Sequence, residues 1–191
     1  RIALVDNSVP QEEMETGLPK KVKPLSAAEK VSLRATGTVL NASEVTALAA
    51  KIGGYDSRHN PQGNFRNVLV DNGNGLTVTD LATGLMWQRG GCDLTTIRTV
   101  QKYVEELNAQ RFAGFSDWRL PTMEEGFSLL VPQVNAKGVH LHPCFSKEQP
   151  FIFLADQRKP GGYWFIDFKQ GTAFWASGSI PGGFGRVCRT M

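Results

Sequence analysis

Apolar residues recur at helical spacing in three places. In residues 43–52, SEVTALAAKI, Val45, Leu48 and Ile52 line one face, Ser43 is positioned to cap the start, and Gly53-Gly54 stops the run. In residues 95–109 the face is Ile97, Val100, Val104 and Leu107, with Thr95 or Thr96 as the cap. A third helix is predicted from Thr122 to Val131, opened by a capping box between Thr122 and Glu125 and ended before Pro132. The other apolar runs are short and bounded by turn residues. Val68–Val70, Leu76–Asp80 and Leu85–Gln88 read as a β-meander, turned by DNGNG at Asp71–Gly75 and by Thr83-Gly84. Phe151–Leu154, Tyr163–Phe168, Thr172–Ser177 and Phe184–Arg189 read as four later strands. Tyr163–Phe168 is apolar on both faces apart from Asp167, which predicts a central strand covered on both sides. Strands, two helices, then strands is an α+β order.

The first third of the chain differs. Of eighteen aromatic residues, sixteen follow residue 66, including all four tryptophans, so the main core belongs there. Residues 1–40, punctuated by Pro10, Pro19 and Pro24, read as an extended arm or linker. A short helix is expected near Ser26–Arg34, from a second capping box between Ser26 and Glu29. Residues 41–66 are expected to be a helix and loop packing onto a domain at 67–191. Acidic residues at 6, 12, 13 and 15 argue against a signal peptide in residues 1–15, and a start at Arg1 fits a processed or trimmed chain.

Charge narrows the partners. Residues 1–66 carry nine Lys/Arg and seven Asp/Glu, and residues 67–191 carry twelve and eleven. Neither half is a basic block, so nucleic acid is not expected as a ligand. The one basic run, Lys20, Lys21 and Lys23, reads as a solvated linker. No apolar run reaches the roughly 18–20 residues of a membrane span. The three cysteines, Cys92, Cys144 and Cys188, form no CxxC pair. One disulfide plus a thiol, or three thiols, both fit.

Three motifs are long enough to be specific: DLATGLMWQ at Asp80–Gln88, GFSDWRLPT at Gly114–Thr122 followed by Glu124-Glu125, and FGRVCR at Phe184–Arg189. Together with YWFIDFKQG at Tyr163–Gly171 they resemble the motifs of the bacterial Lcl C-terminal domain family, over roughly residues 67–191. The RLPT segment is also similar to one in the formylglycine-generating, sulfatase-modifying family. The resemblance implies a C-type-lectin-like fold, with two helices and short antiparallel strands behind an N-terminal arm bearing one helix. It also implies a bacterial, extracytoplasmic (periplasmic, secreted or cell-surface) binding module, since the family's namesake binds glycans or polyanions. One departure stands out. Many members carry a cysteine in the first helix and another in the closing strand, and the resemblance implies a bridge between those two positions. With Arg186 and Arg189 aligned, this chain has Val104 and Val187 at those positions, which would keep the contact as packing.

The chemistry of individual residues is read beside this. Trp87, Trp118, Arg119, Pro121, Thr122, Glu125 and Arg186 are read as structural rather than as a ligand clamp or acid catalyst. Asp117 lacks an evident partner carboxylate. His140 and His142, two apart in VHLHP, would reach one metal ion if they lay on a strand, but no third ligand is evident, so no metal and no cofactor are expected. DNGNG lacks the bidentate Glu of a calcium loop, and the sugar-binding EPN and WND motifs of lectins are not in the chain. The sulfatase-modifying relatives use two cysteines near the C-terminal end, where this chain has only Cys188.

The expectation is therefore a non-enzymatic module that recognises a glycan, polyanion or protein through C-terminal loops. Arg158, Lys159, Tyr163, Lys169 and Trp175 are its candidate ligand residues, combining cations with aromatic rings. The alternatives are a metal- or thiol-dependent enzyme related to the sulfatase modifiers, and a structural or sensory module of a larger assembly.

Overall fold

The computed structural model describes residues 16–159 and 161–191. The readings made on residues 1–15, including that on a signal peptide, lie outside the described residues.

The fold is α+β, built on two sheets. The first is antiparallel with strand order β1-β2-β3-β9, from β1 (Leu69–Asp71), β2 (Thr77–Asp80), β3 (Leu85–Gln88) and β9 (Cys188–Thr190). The second has the order β4-β8-β5-β6-β7, from β4 (Cys92–Thr95), β5 (Phe151–Arg158), β6 (Gly162–Asp167), β7 (Thr172–Ser177) and β8 (Gly183–Gly185). Its pairs are antiparallel except for Ile152 beside Phe184, where β5 and β8 run parallel. The single strand expected at Phe184–Arg189 is thus two strands in two sheets, joined by Arg186 and Val187. Val187 is fixed at the crossing, where the Gln88 N–H donates to its carbonyl and its own N–H donates to Gln88 Oε1. Strand β4 escaped the sequence reading, because CDLT has no alternation to betray it.

Three helices cover the sheets. In α1 (Ala42–Ile52) the cap is Asn41 rather than Ser43. Asn41 keeps extended backbone and closes a capping box with Glu44, whereas Ser43 already lies inside the helix and donates to Asn41 Oδ1. Gly53 ends α1 at φ 68°, a left-handed turn that suits glycine. Helix α2 (Ile97–Ala109) is capped by Thr96, and α3 (Met123–Leu129) by Thr122 with Glu125. The expected helix at Ser26–Arg34 is only a 3-10 turn, Ala27–Glu29, that buries no side chain. With no apolar face to bury, such a short segment does not repay helix nucleation.

Alternation along the central strands feeds two cores. Ile152, Leu154, Trp164 and Ile166 point into one, with α1, α3, Val78 and Trp87. Phe153 and Phe165 point into the other, with Val100, Tyr103 and Leu107 of α2. Strand β6 is therefore covered on both faces. Val187 is buried in the second core, and Val104 packs against that core partly exposed, while Cys188 lies in the first.

The described part of the arm is strapped to the domain. Val31 donates to the Ala82 carbonyl, and residues 38–40 run beside β5, with Gln157 donating to Thr38 and Leu40 donating to Gln157. At the centre of this strap the Arg34 guanidinium holds Asp156 at 2.7 and 3.0 Å and contacts Glu124. Asp156 is fully buried and also accepts the backbone N–H groups of Thr38 and Met123. Burial holds Glu124 above the ordinary carboxylate range, and Arg34 pulls it only part of the way back.

Candidate functional site

The motif residues serve the frame. Trp118 is buried, and its indole N–H donates to the Phe112 carbonyl. Arg119 grips Glu125 with two hydrogen bonds of 2.6 and 2.7 Å and reaches Thr190, tying α3 to β9. The same Glu125 Oε1 accepts the Thr122 N–H, and Pro121 offers its carbonyl to Ala155. Trp87 is fully buried in the first core. Arg186, also fully buried, donates to the carbonyls of Gly90, Arg89 and Ser146 and to Gln149, between the rings of Phe145 and Phe168. Asp117 pairs with Arg189 at 2.6 Å, and that hydrogen bond holds its carboxyl below the usual range.

The five candidate ligand residues do not form one patch. Side chains two apart on a strand share a face and neighbours oppose. Trp175 pairs in register with Trp164, so it stands on the side of the first core. It is 50% exposed, lies against Gly162, and carries the Arg158 guanidinium 4.0 Å above its ring. Lys159 is exposed in the turn that follows Arg158. Tyr163 pairs with Ala176 and points to the opposite side, edge-on to Phe153, its hydroxyl accepting a long hydrogen bond (3.5 Å) from Gln157. Lys169 lies in the turn between β6 and β7, at the far end of the hairpin. Sequence proximity placed these residues together, and strand geometry separates them by face and by end.

Hollows open at three places on the domain. One, about 680 Å³, separates arm residues 22–32 from the β2–β3 turn, with Lys30 in its wall, away from the candidate ligand residues. A recess of about 470 Å³ gathers Lys169 with Lys137 and Lys147, beside Asp93 and Glu148. Lys137 and Lys147 carried no sequence signal, because they reach Lys169 only through loops that the fold brings to the hairpin's end. A third hollow, about 530 Å³, lies between α2 and the strap, where Tyr163 opens.

Reactive groups are occupied or withdrawn. His140 and His142 lie in irregular backbone rather than on a strand. The His140 Nδ1 meets the Val131 carbonyl at 3.0 Å, and the His142 Nδ1 accepts the Cys144 N–H. Burial, then the charge of Lys137, hold His142 below its ordinary 6.5. Among the described residues no three His, Cys, Asp or Glu side chains converge as a metal site. All three cysteines are buried free thiols, without a disulfide. Burial pushes Cys92 up to about 11, Cys144 up to about 12, and Cys188 well above its ordinary value. The DNGNG turn spends its oxygens internally: Asp71 accepts the Gly73 N–H, and Asn74 accepts those of Leu76 and Thr77. Among the described residues, no helix is long and apolar enough to cross a membrane.

Residues 76–189, more than half of the chain, match the sequence model of the Lcl C-terminal domain. No curated protein and no solved structure matches.

Proposed function

Because the chain belongs to the Lcl C-terminal domain family, we propose that it is a non-catalytic, extracytoplasmic binding module of C-type-lectin-like architecture that recognises a polyanionic chain, such as a sulfated glycan. The observation that carries this is the placement of cations at both ends of one hairpin. Lys137, Lys147 and Lys169 gather at one end, and Arg158 and Lys159 stand at the other. From Gly162 to Asp167 strand β6 covers roughly 17 Å, a reach suited to a polymer rather than to a single small anion. Trp175, half open beside Arg158, adds an apolar surface for a sugar ring.

The magnitudes favour a polymer as well. An exposed ion pair is worth about 0–1 kcal/mol, and in the recess three lysines stand beside two carboxylates, Asp93 and Glu148, with the Lys137 ammonium donating to the Pro143 carbonyl. Useful affinity then comes from linking several weak contacts along one chain. Salt weakens it, because added ions screen exposed charge pairs and reduce the gain from releasing the polyanion's counterions. The non-catalytic part of the reading is supported by the thiols, whose burial keeps them protonated and poorly nucleophilic at neutral pH.

Heparin-affinity chromatography with a salt gradient tests the proposal. The chain is expected to be retained and to elute at moderate salt. Lys147→Ala with Lys169→Ala, and separately Arg158→Ala with Lys159→Ala, should each bring elution forward. No retention, or elution unmoved by all four substitutions, overturns it.

A further inference from the structure

We infer that the hollow between α2 and the strap is a second ligand site, separate from the cationic hairpin, that takes a small organic amine of monosaccharide size. Its volume of about 530 Å³ falls in the range of roughly 300–1,000 Å³ usual for small-ligand pockets. Its walls are firm. One is α2, the floor is β5 and β6, and the other wall is Ala35–Gly37, held by the Arg34–Asp156 clamp on one side and the Thr38–Gln157 bond on the other. The Ala155 carbonyl lies where a side chain on residue 37 would stand, so glycine lets the strap close down at that point. A site on rigid elements needs little ordering when it binds.

The lining defines the ligand. Ile97, Val104 and Leu120, partly buried against the second core, supply the hollow's apolar lining. Around it stand four neutral hydrogen-bonding side chains: Thr36, Gln101, Gln157 and Tyr163. The one hydrogen bond among these four is the long contact between Gln157 and Tyr163. An apolar face ringed by hydroxyl or amide partners is the complement of a compact polyhydroxylated ring.

Charge selects further. Two charged residues line the hollow, Arg119 and Glu105. Arg119 is spent on Glu125 through two short hydrogen bonds. Glu105 forms no ion pair with any described residue, including Lys102 one turn back on α2. The uncompensated charge of the hollow is therefore negative. It attracts an amine and repels a carboxylate or sulfate, the reverse of the lysine recess. Tyr163, read from sequence as part of a cationic patch, belongs instead to this site of opposite sign.

The test is an NMR titration of the ¹⁵N-labelled full chain with three probes of one shape: glucosamine, glucose and glucuronate. Glucosamine is expected to shift the side-chain amides of Gln101 and Gln157. It should bind about five-fold tighter than glucose, the size of one exposed ion pair, and glucuronate should bind weakest. Glu105→Gln should abolish the preference for the amine, and Glu105→Lys should transfer it to glucuronate. Both changes are at an exposed helical position and should leave the backbone spectrum otherwise unchanged. Lys147→Ala with Lys169→Ala should leave glucosamine binding untouched while weakening heparin retention, which separates the two sites. Absence of shifts around the hollow with glucosamine, equal binding of glucosamine and glucuronate, or an amine preference that survives Glu105→Gln would each overturn the inference.

Discussion

Asp156→Ala is expected to destabilise the domain by about 3–4 kcal/mol, and the estimate can be built group by group. Asp156 accepts four hydrogen bonds: 2.7 and 3.0 Å from Arg34, 2.7 Å from the Thr38 N–H and 2.6 Å from the Met123 N–H. Met123 is buried at the first turn of α3, so its N–H would be stranded, at roughly 1–3 kcal/mol. Thr38 is exposed, and water replaces the carboxylate there at little loss. The charged hydrogen bonds from Arg34 are worth about 1.5–3 kcal/mol, toward the lower end because the Arg34 side chain is 28% exposed and keeps Glu124.

Against a usual total of about 5–15 kcal/mol, the domain should remain folded but melt about 6–16 °C lower. Urea unfolding followed by tryptophan fluorescence measures this. Arg34→Ala leaves the Asp156 charge buried with two backbone donors and should lose about 2–3 kcal/mol, less than the roughly 3–5 kcal/mol of a fully buried pair because the Arg34 side chain is 28% exposed. The double variant should lose less than the sum of the singles, by at least about 1 kcal/mol. A loss below about 1 kcal/mol for Asp156→Ala, or strict additivity, refutes the idea that this clamp secures the strap.

Two further outcomes follow from the buried titratable groups. His142 is held below 6.5 in the folded chain, so the unfolded chain takes its proton first. Stability should therefore fall as pH drops below about 6.5, by up to roughly 1.4 kcal/mol per pH unit. Urea stability of the wild type minus that of His142→Gln, measured from pH 7.5 to 5, should show this slope, and a flat difference contradicts it. The three thiols should resist a disulfide exchange reagent in the native chain at pH 7.5 and react together on unfolding. Rapid labelling of any one of them in the native chain would contradict its burial.

The sequence was most legible where local chemistry and tertiary packing agree. Strand β7 lies at Thr172–Ser177 as expected, because glycine turns and alternation bound it on both sides. Thr122 and Glu125 announced α3 because a capping box is a contact between residues three apart. Phe184–Arg189 read as one strand because nothing local records a change of sheet. Only the acceptors gathered around Arg186, at residues 89, 90, 146 and 149, explain why the chain turns there. The candidate site was less legible for the same reason. Charge and ring content identified Arg158, Tyr163, Lys169 and Trp175 individually, but which of them share a face depends on register. The two-residue slip between Phe153 and Gln157 in the β5–β6 pairing cannot be read from composition. The Arg34–Asp156 clamp, 122 residues apart in sequence, left no trace either.

The pairing of β3 with β9 has a kinetic corollary. Leu85 faces Thr190 across that ladder, so roughly a hundred intervening residues must be gathered before it zips, an entropic toll of about 4 kcal/mol. Until then β3 presents a bare edge carrying Trp87, while the β5–β6–β7 meander, whose partners are near neighbours, is free to form early. Nascent chains stalled short of Cys188 should thus hold an ordered meander beside a sticky, unfinished first sheet, the kind of species that chaperones hold and proteases clear.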